Sequence, residues 1–360
     1  MTTTTPLAGR AASDADYERL GLSRDTIAPW EDGARTDGRR GSFEWWYFDA
    51  HLDDGAALVV VFQDKDFTEP QKPLTPLVRI NLDLPDGRSL QKEQRFARES
   101  YLAATEHADV RIAGNRFEGD LRRYHITAAI DEVSVDVTLT RQVPSWRPGT
   151  GHVYFGADKA HTFAWMPAVP QGTAEVRYRI GDEVHESAGI GYHDHNWGNA
   201  ALQKLIHDWY WARGQAGPYS VITSYVTAQE KYGYASIPNF MLAKDGRILT
   251  GDAEKVAFTL EDVHPDEKTG KPVANVLRYS YQDGDDCYVL TYAVEDVLTR
   301  ARLIEGVHGI KRLAATLVGF DGAYLRFSGE CRVQYFRAGT LVEEFADKAI
   351  WELMYFGRAR

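Results

Sequence analysis

Val133-Ser134-Val135-Asp136-Val137-Thr138-Leu139-Thr140 alternates apolar and polar residues without a break. In an extended chain successive side chains point to opposite faces, so this octet reads as a strand with one buried face. Val78, Ile80, Leu82 and Leu84 repeat the pattern around Arg79, Asn81 and Asp83. Between such runs lie Asp54-Gly55, Asp86-Gly87, Gly114-Asn115, Asp245-Gly246, Asp283-Gly284, Asp321-Gly322 and Ala338-Gly339. Pairs of this kind accept the positive φ that tight hairpins need. The run from Phe240 to Leu249, centred on Asp245-Gly246, is a near-ideal hairpin sequence. Short strands joined by hairpins give antiparallel sandwiches or barrels.

The remaining organisation follows from what interrupts these runs. No strand-helix-strand alternation and no glycine-rich phosphate loop occurs, which excludes a dinucleotide fold. Long helices are scarce: a short one is expected at Asp14 to Leu20, and Asn199 to Ile206 is the best candidate in the middle of the chain. Pro144, Pro148, Pro167 and Pro170 mark residues 144–172 as a long crossing loop, because proline cannot donate to a ladder. Residues 1–40 are polar and weakly periodic and read as an arm over the body.

Composition bounds the function. Of 360 residues, 44% are hydrophobic and 26% charged, as in a soluble globular protein with a real core. Nine Trp and 19 Tyr are enough either to fill a β core or to line an apolar ligand site. The net charge of -11 argues against nucleic-acid and anionic-membrane partners, which need basic surfaces. Cys287 and Cys331 show no metal spacing and read as two free buried thiols. The start, Met1-Thr2-Thr3-Thr4-Thr5-Pro6, lacks the features of a signal peptide. No run approaches the ~18 apolar residues of a membrane span. A cytoplasmic location is expected.

The densest chemistry is Gly191-Tyr192-His193-Asp194-His195-Asn196-Trp197-Gly198. As a strand it places Tyr192, Asp194 and Asn196 on one face and His193, His195 and Trp197 on the other. A carboxyl held neutral in an aromatic, poorly hydrated pocket is a general acid. Surrounding ring faces stabilise a developing carbocation. The plain alternative is a buried polar turn that satisfies backbone groups. His193-x-His195 also suits a metal, but His185 and His207 stand at no recognisable spacing. Glu44, Trp46 and Phe48 share a face, either as a pocket wall or as barrel filling. Trp209, Trp211 and Arg213 share another, as cavity wall or core strand. Ser220 and Ser224 lack a nucleophile-elbow setting.

These segments resemble the family of carotenoid 1,2-hydratase (hydroxyneurosporene synthase) and the AttH-like proteins. The resemblance is carried by Glu44-Trp45-Trp46-Tyr47-Phe48, by Trp165 with Pro167 and Pro170, by Gly189-x-Gly191 running into the octapeptide, and by Trp209-x-Trp211. It implies an all-β fold of two tandem antiparallel lipocalin-like barrels with few short helices, over residues 41–198 and 199–360, with a ligand pocket at or between them. It also implies cofactor-independent chemistry, with Asp194 in the proton donor's position.

Together these readings make Asp194, His193 and Tyr192 the catalytic candidates. Glu44, Trp46, His195, Asn196, Trp197, Trp209 and Trp211 are the substrate-binding ones, with no metal and no cofactor. The expected partner is a hydrophobic small molecule, smaller than a carotenoid: a terpenoid or polyketide. The expected activity is hydration, dehydration, isomerisation or cyclisation started by protonation. The alternatives are a pericyclase that folds its substrate and a carrier that does no chemistry.

Overall fold

The computed structural model describes residues 7–303 and 321–359; residues 1–6, where a signal peptide would begin, lie outside them. Close contacts divide the chain into two units. One holds Arg10–Tyr154 and Lys159–Leu202; the other holds the described residues from Gln203 onward with two short pieces, 7–9 and 155–158. Residues 10–40, expected to form an arm, belong to the first unit.

Each unit is built on a curled antiparallel sheet, and the two sheets share a topology. In the first unit the strand Phe43–Leu52 pairs with the strand Glu183–Gly198, which ends the unit's sheet in sequence. In the second, Ile206–Ala216 pairs with Thr340–Tyr355 in the same way. On either side of these closing pairs the strands follow in hairpin order. The all-β, tandem lipocalin-like architecture is the one the resemblance implied.

Local chemistry accounts for most elements. Val133, Val135, Val137 and Leu139 are buried while Ser134, Asp136, Thr138 and Thr140 are not, as alternation demands. Each such side chain taken from water contributes roughly 1.5–3 kcal/mol. Asp245 and Gly246 both take positive φ, 49° and 74°, and close the hairpin of Ser236–Lys244 and Arg247–Thr250. The short helix forms at Asp14–Leu20, where Ser13 and Asp16 make a capping box and Gly21 ends it in the left-handed conformation.

Two expectations are corrected. Residues 144–172 are not one long loop: Pro167 and Pro170 lie inside the strand His161–Ile180. Its ladder to Glu183–Gly198 shifts register between Pro167 and Val169 and again between Val169 and Gly172. Bulges at those points absorb the missing proline donors. Asn199 to Ile206 is not a helix but one 3-10 turn, Leu202–Lys204, leading into the strand Ile206–Ala216. The Asn199 N–H donates to the Thr162 carbonyl and the Leu202 N–H to the Phe67 carbonyl, so backbone donors there pair with distant residues instead of with a helical ladder.

Cys287 is half-buried and Cys331 buried, and both are free; burial pushes the Cys331 thiol up to about 12. Among the described residues no helix is long and apolar enough to cross a membrane.

Candidate active site

The octapeptide occupies the end of the strand Glu183–Gly198, at the centre of the first unit's sheet. Just before it glycine is sterically required at Gly189, where a Cβ would stand 2.1 Å from the His51 carbonyl oxygen; at Gly191 a Cβ would stand 2.7 Å from a Leu139 methyl. On one side Asp194 lies opposite Tyr47, Asn196 opposite Trp45 and Tyr192 opposite Asp49. On the other, Asp194 lies opposite Pro167 and Asn196 opposite Trp165. Directly opposed residues share a sheet face. The first face therefore carries Tyr192, Asp194, Asn196, Trp45, Tyr47, Asp49 and Trp165. The other face carries His193, His195, Trp197, Glu44, Trp46 and Phe48, and it is the one turned to the unit's hydrophobic core.

Asp194 is 6% exposed and receives three hydrogen bonds. Trp165 Nε1 donates to Oδ2 at 2.8 Å and Tyr192 O–H to the same oxygen at 2.7 Å. Asn196 Nδ2 donates to Oδ1 at 2.6 Å. Among the described residues no Lys or Arg pairs with it. Burial pushes its pKa up to about 6, against the opposing pull of Tyr192, Trp165, His193 and Asn196. Desolvation thus raises the carboxyl well above the ordinary carboxylate range, in the direction expected from sequence. It is a group that takes and gives a proton near neutrality.

Aromatic rings surround this carboxyl. Trp146 meets Trp165 edge-on at 5.7 Å, and Tyr47 meets Tyr192 at 6.3 Å. Tyr47 O–H donates to Asp49 at 3.1 Å. Burial first, then Asp194, drives the Tyr192 phenol well above its ordinary range, so it stays a donor. Phe43, Trp45, Phe67 and Phe163 form a contiguous cluster with centroids 5.4 to 6.5 Å apart. Of these, Trp45, Phe67 and Phe163 are half-buried. A half-buried aromatic surface beside a buried carboxyl suits a flat apolar molecule and positive charge developing on it.

The core face holds a second polar cluster. His193 Nδ1 lies 2.8 Å from the Tyr47 carbonyl oxygen, and its Nε2 lies 3.1 Å from Asp32 Oδ2. His195 Nε2 lies 2.8 Å from Glu44 Oε1, and its ring stacks on Trp46 at 4.5 Å. Glu44 also accepts from the Arg35 and Thr36 backbone N–H groups and from the Thr36 hydroxyl. Trp46 Nε1 donates to the Asp32 carbonyl oxygen at 3.0 Å, and Trp197 packs on His195.

The structure thus brings Tyr192 and Asn196 onto Asp194 and leaves Glu44, Trp46, His193, His195 and Trp197 on the opposite face. Trp209 and Trp211 are in the second unit, half-buried, on the strand face opposite to its core residues Tyr210 and Ala212. Trp209 Nε1 donates to Glu352 at 3.2 Å. His185 stacks on Tyr178 and His207 bonds Asp208. Among the described residues no group of three His, Cys, Asp or Glu side chains is arranged for a metal ion. Sequence reasoning did not assign Trp45, Tyr47 or Trp165 to this site, nor Asp32 to the cluster. Parity along Glu44–Asp49 would have placed Trp45 and Tyr47 together; Asp32 carries no sequence signal.

The Diels-Alderase-like family pattern matches residues 39–284. The quinolone epoxide rearrangement protein of Emericella nidulans is 28% identical over 209 residues, 54% of this chain and 57% of that protein. The hydroxyneurosporene dehydrogenase of Chlorobaculum tepidum is 28% identical over 261 residues, 60% of this chain and 65% of that protein. The chain therefore spans less than two thirds of the length of these curated relatives. A crystal structure of an AttH-type protein from Nitrosomonas europaea superposes with a TM-score of 0.59 at 15% identity, over 92% of this chain and 97% of that one, and shares its fold.

Proposed function

This chain belongs to the Diels-Alderase-like family, and we propose that it is a cofactor-independent natural-product isomerase or cyclase in which Asp194 transfers the proton. The observation that carries the reading is a buried carboxyl bonded only by neutral donors and bordered by aromatic rings. Asp194 in its acid form gives a proton to a substrate oxygen or double bond. Positive charge develops on the substrate against the faces of Trp45, Tyr47 and Trp165. Migration of a bond or attack by an internal double bond follows, and the carboxylate takes a proton back. The proton balance closes and the product is an isomer; capture of the cation by water gives hydration instead.

Trp165, Tyr192 and Asn196 hold the carboxylate that each turnover regenerates, and burial raises its pKa to about 6, into the range a general acid needs. A positioned general acid supplies roughly 10²–10⁴-fold; orientation on the aromatic surface supplies more. The relative named for quinolone epoxide rearrangement supports a fused-ring, oxygen-bearing substrate. The family match also supports a pericyclic reading, in which the surface folds the substrate and Asp194 transfers nothing.

A quinolone epoxide and an isoprenoid alkene, each turned over in deuterated water, separate the two. Proton transfer to carbon leaves deuterium in the product, and epoxide opening fails in Asp194→Asn. Turnover undiminished in Asp194→Asn, with no label incorporated, refutes proton transfer and favours the pericyclic reading.

A further inference from the structure

His193 is fully buried, and both of its ring nitrogens face oxygen acceptors. The Tyr47 carbonyl can only accept, so Nδ1 carries a hydrogen. Asp32 Oδ2, 3.1 Å from Nε2, already receives the Tyr124 hydroxyl at 2.5 Å. That oxygen has a second lone pair, so it can also accept from an Nε2–H. Both ring nitrogens thus face acceptors, the geometry that an imidazolium bonded to Asp32 requires. Among the described residues Asp32 Oδ1 has no hydrogen-bond partner, and it faces His195 Nδ1, likewise without one, at 3.6 Å. The Asp32 charge therefore has few other groups to stabilise it besides His193 and Tyr124.

We propose that Asp32 is a positioning residue for Asp194: it keeps His193 protonated on the core face of the motif strand, and that buried cation, one residue away, biases the Asp194 carboxyl on the opposite face toward its ionised form. Its catalytic meaning rests on Asp194 being the proton-transfer group; its electrostatics do not.

Burial alone would lower the His193 pKa, and the Asp32 carboxylate with the Tyr47 carbonyl overcomes this and holds it above the ordinary histidine range. His193 in turn is among the groups that pull the Asp194 pKa down. The other groups around the pair are accounted for. Glu44 is bonded to His195 Nε2 and to backbone donors. Asp64, which accepts from the Glu44 N–H, is pushed upward by burial, and Tyr101 is raised by burial and by these two carboxyls. On the Asp194 face Asp49 bonds Tyr47. None of these stands between His193 and Asp194 in the motif.

Two measurements on the full chain test the proposal without substrate. Nitrogen NMR of ring-labelled histidine should find one buried His that is doubly protonated at pH 7.5 in the wild type, missing in His193→Gln and neutral in Asp32→Asn. The infrared carboxyl band absent from Asp194→Asn reports the protonation midpoint of Asp194. In Asp32→Asn that midpoint should rise by about a third of a pH unit. Two unit charges roughly 10 Å apart at an effective dielectric of about 20 give about one unit, and loss of the Asp32 charge, which sits just beyond His193 Nε2, offsets about two thirds of it. A neutral His193 in the wild type at pH 7.5 overturns the proposal, and this arm stands even if Asp32→Asn does not fold. So does an unmoved Asp194 midpoint once His193 has been neutralised. Undiminished turnover in Asp194→Asn would remove the catalytic reading while leaving both of these results in place.

Discussion

Replacing Asp194 by asparagine should abolish proton transfer and yet stabilise the folded chain at neutral pH. The carboxyl pKa lies at about 6 in the fold and at 3.8 in an unfolded chain. A folded-state pKa above the unfolded one means the native state binds more protons between about pH 4 and pH 6. Stability from this group is therefore full below about pH 4 and is lost as pH rises through 6. A pKa raised by about two is equivalent to about 3 kcal/mol. Asparagine does not titrate. Its carbonyl can accept from both Trp165 and Tyr192, and its amide meets Asn196, which can turn its own oxygen to accept. Loss of charge-assisted bonding offsets part of the gain, about 1 kcal/mol. Urea unfolding should show Asp194→Asn more stable than wild type by about 1–3 kcal/mol at pH 7.5, with the gap closing by pH 4.5. A variant less stable than wild type at both pH values would mean that the carboxylate anchors the strand, and the acid-base reading would lose its physical basis.

Other outcomes follow from the same geometry. Tyr192→Phe removes one of three donors to the carboxylate and should raise the Asp194 midpoint by about one pH unit, since a hydrogen bond to a charged group contributes about 1.5–3 kcal/mol; the carboxyl infrared band measures it. Glu44→Gln puts an amide N–H₂ among Arg35, Thr36 and His195 donors and should cost about 2–4 kcal/mol in urea unfolding. The Asp194 midpoint should stay in place in that variant. Gly189→Ala drives a Cβ into the His51 carbonyl and should cost at least about 2 kcal/mol, read as a lowered unfolding midpoint. Thiol labelling of the folded chain should modify Cys287 well before Cys331, because Cys331 is fully buried and its thiolate is disfavoured.

Period-two patterning was enough to make the chain all-β, to place the hairpin at Asp245-Gly246 and to sort the octapeptide into two faces. The capping residues around Asp14–Leu20 were equally readable, because caps and turns are decided by a few neighbouring residues. Parity, however, says which side chains travel together and not which face turns to the core. Chemistry alone groups Glu44 and Trp46 with Asp194, and pairing with Glu183–Gly198 puts them on the other side. The same long-range pairing drew Pro167 and Pro170 into a strand and carried Trp165 onto Asp194, against the local preference of proline. Asp32 reaches His193 across 161 residues of sequence, a contact that no local pattern encodes. What residues do within a few positions is set by sterics and hydrogen bonding along the chain; which faces become core is set by burial of the whole sheet, and only the folded chain settles that.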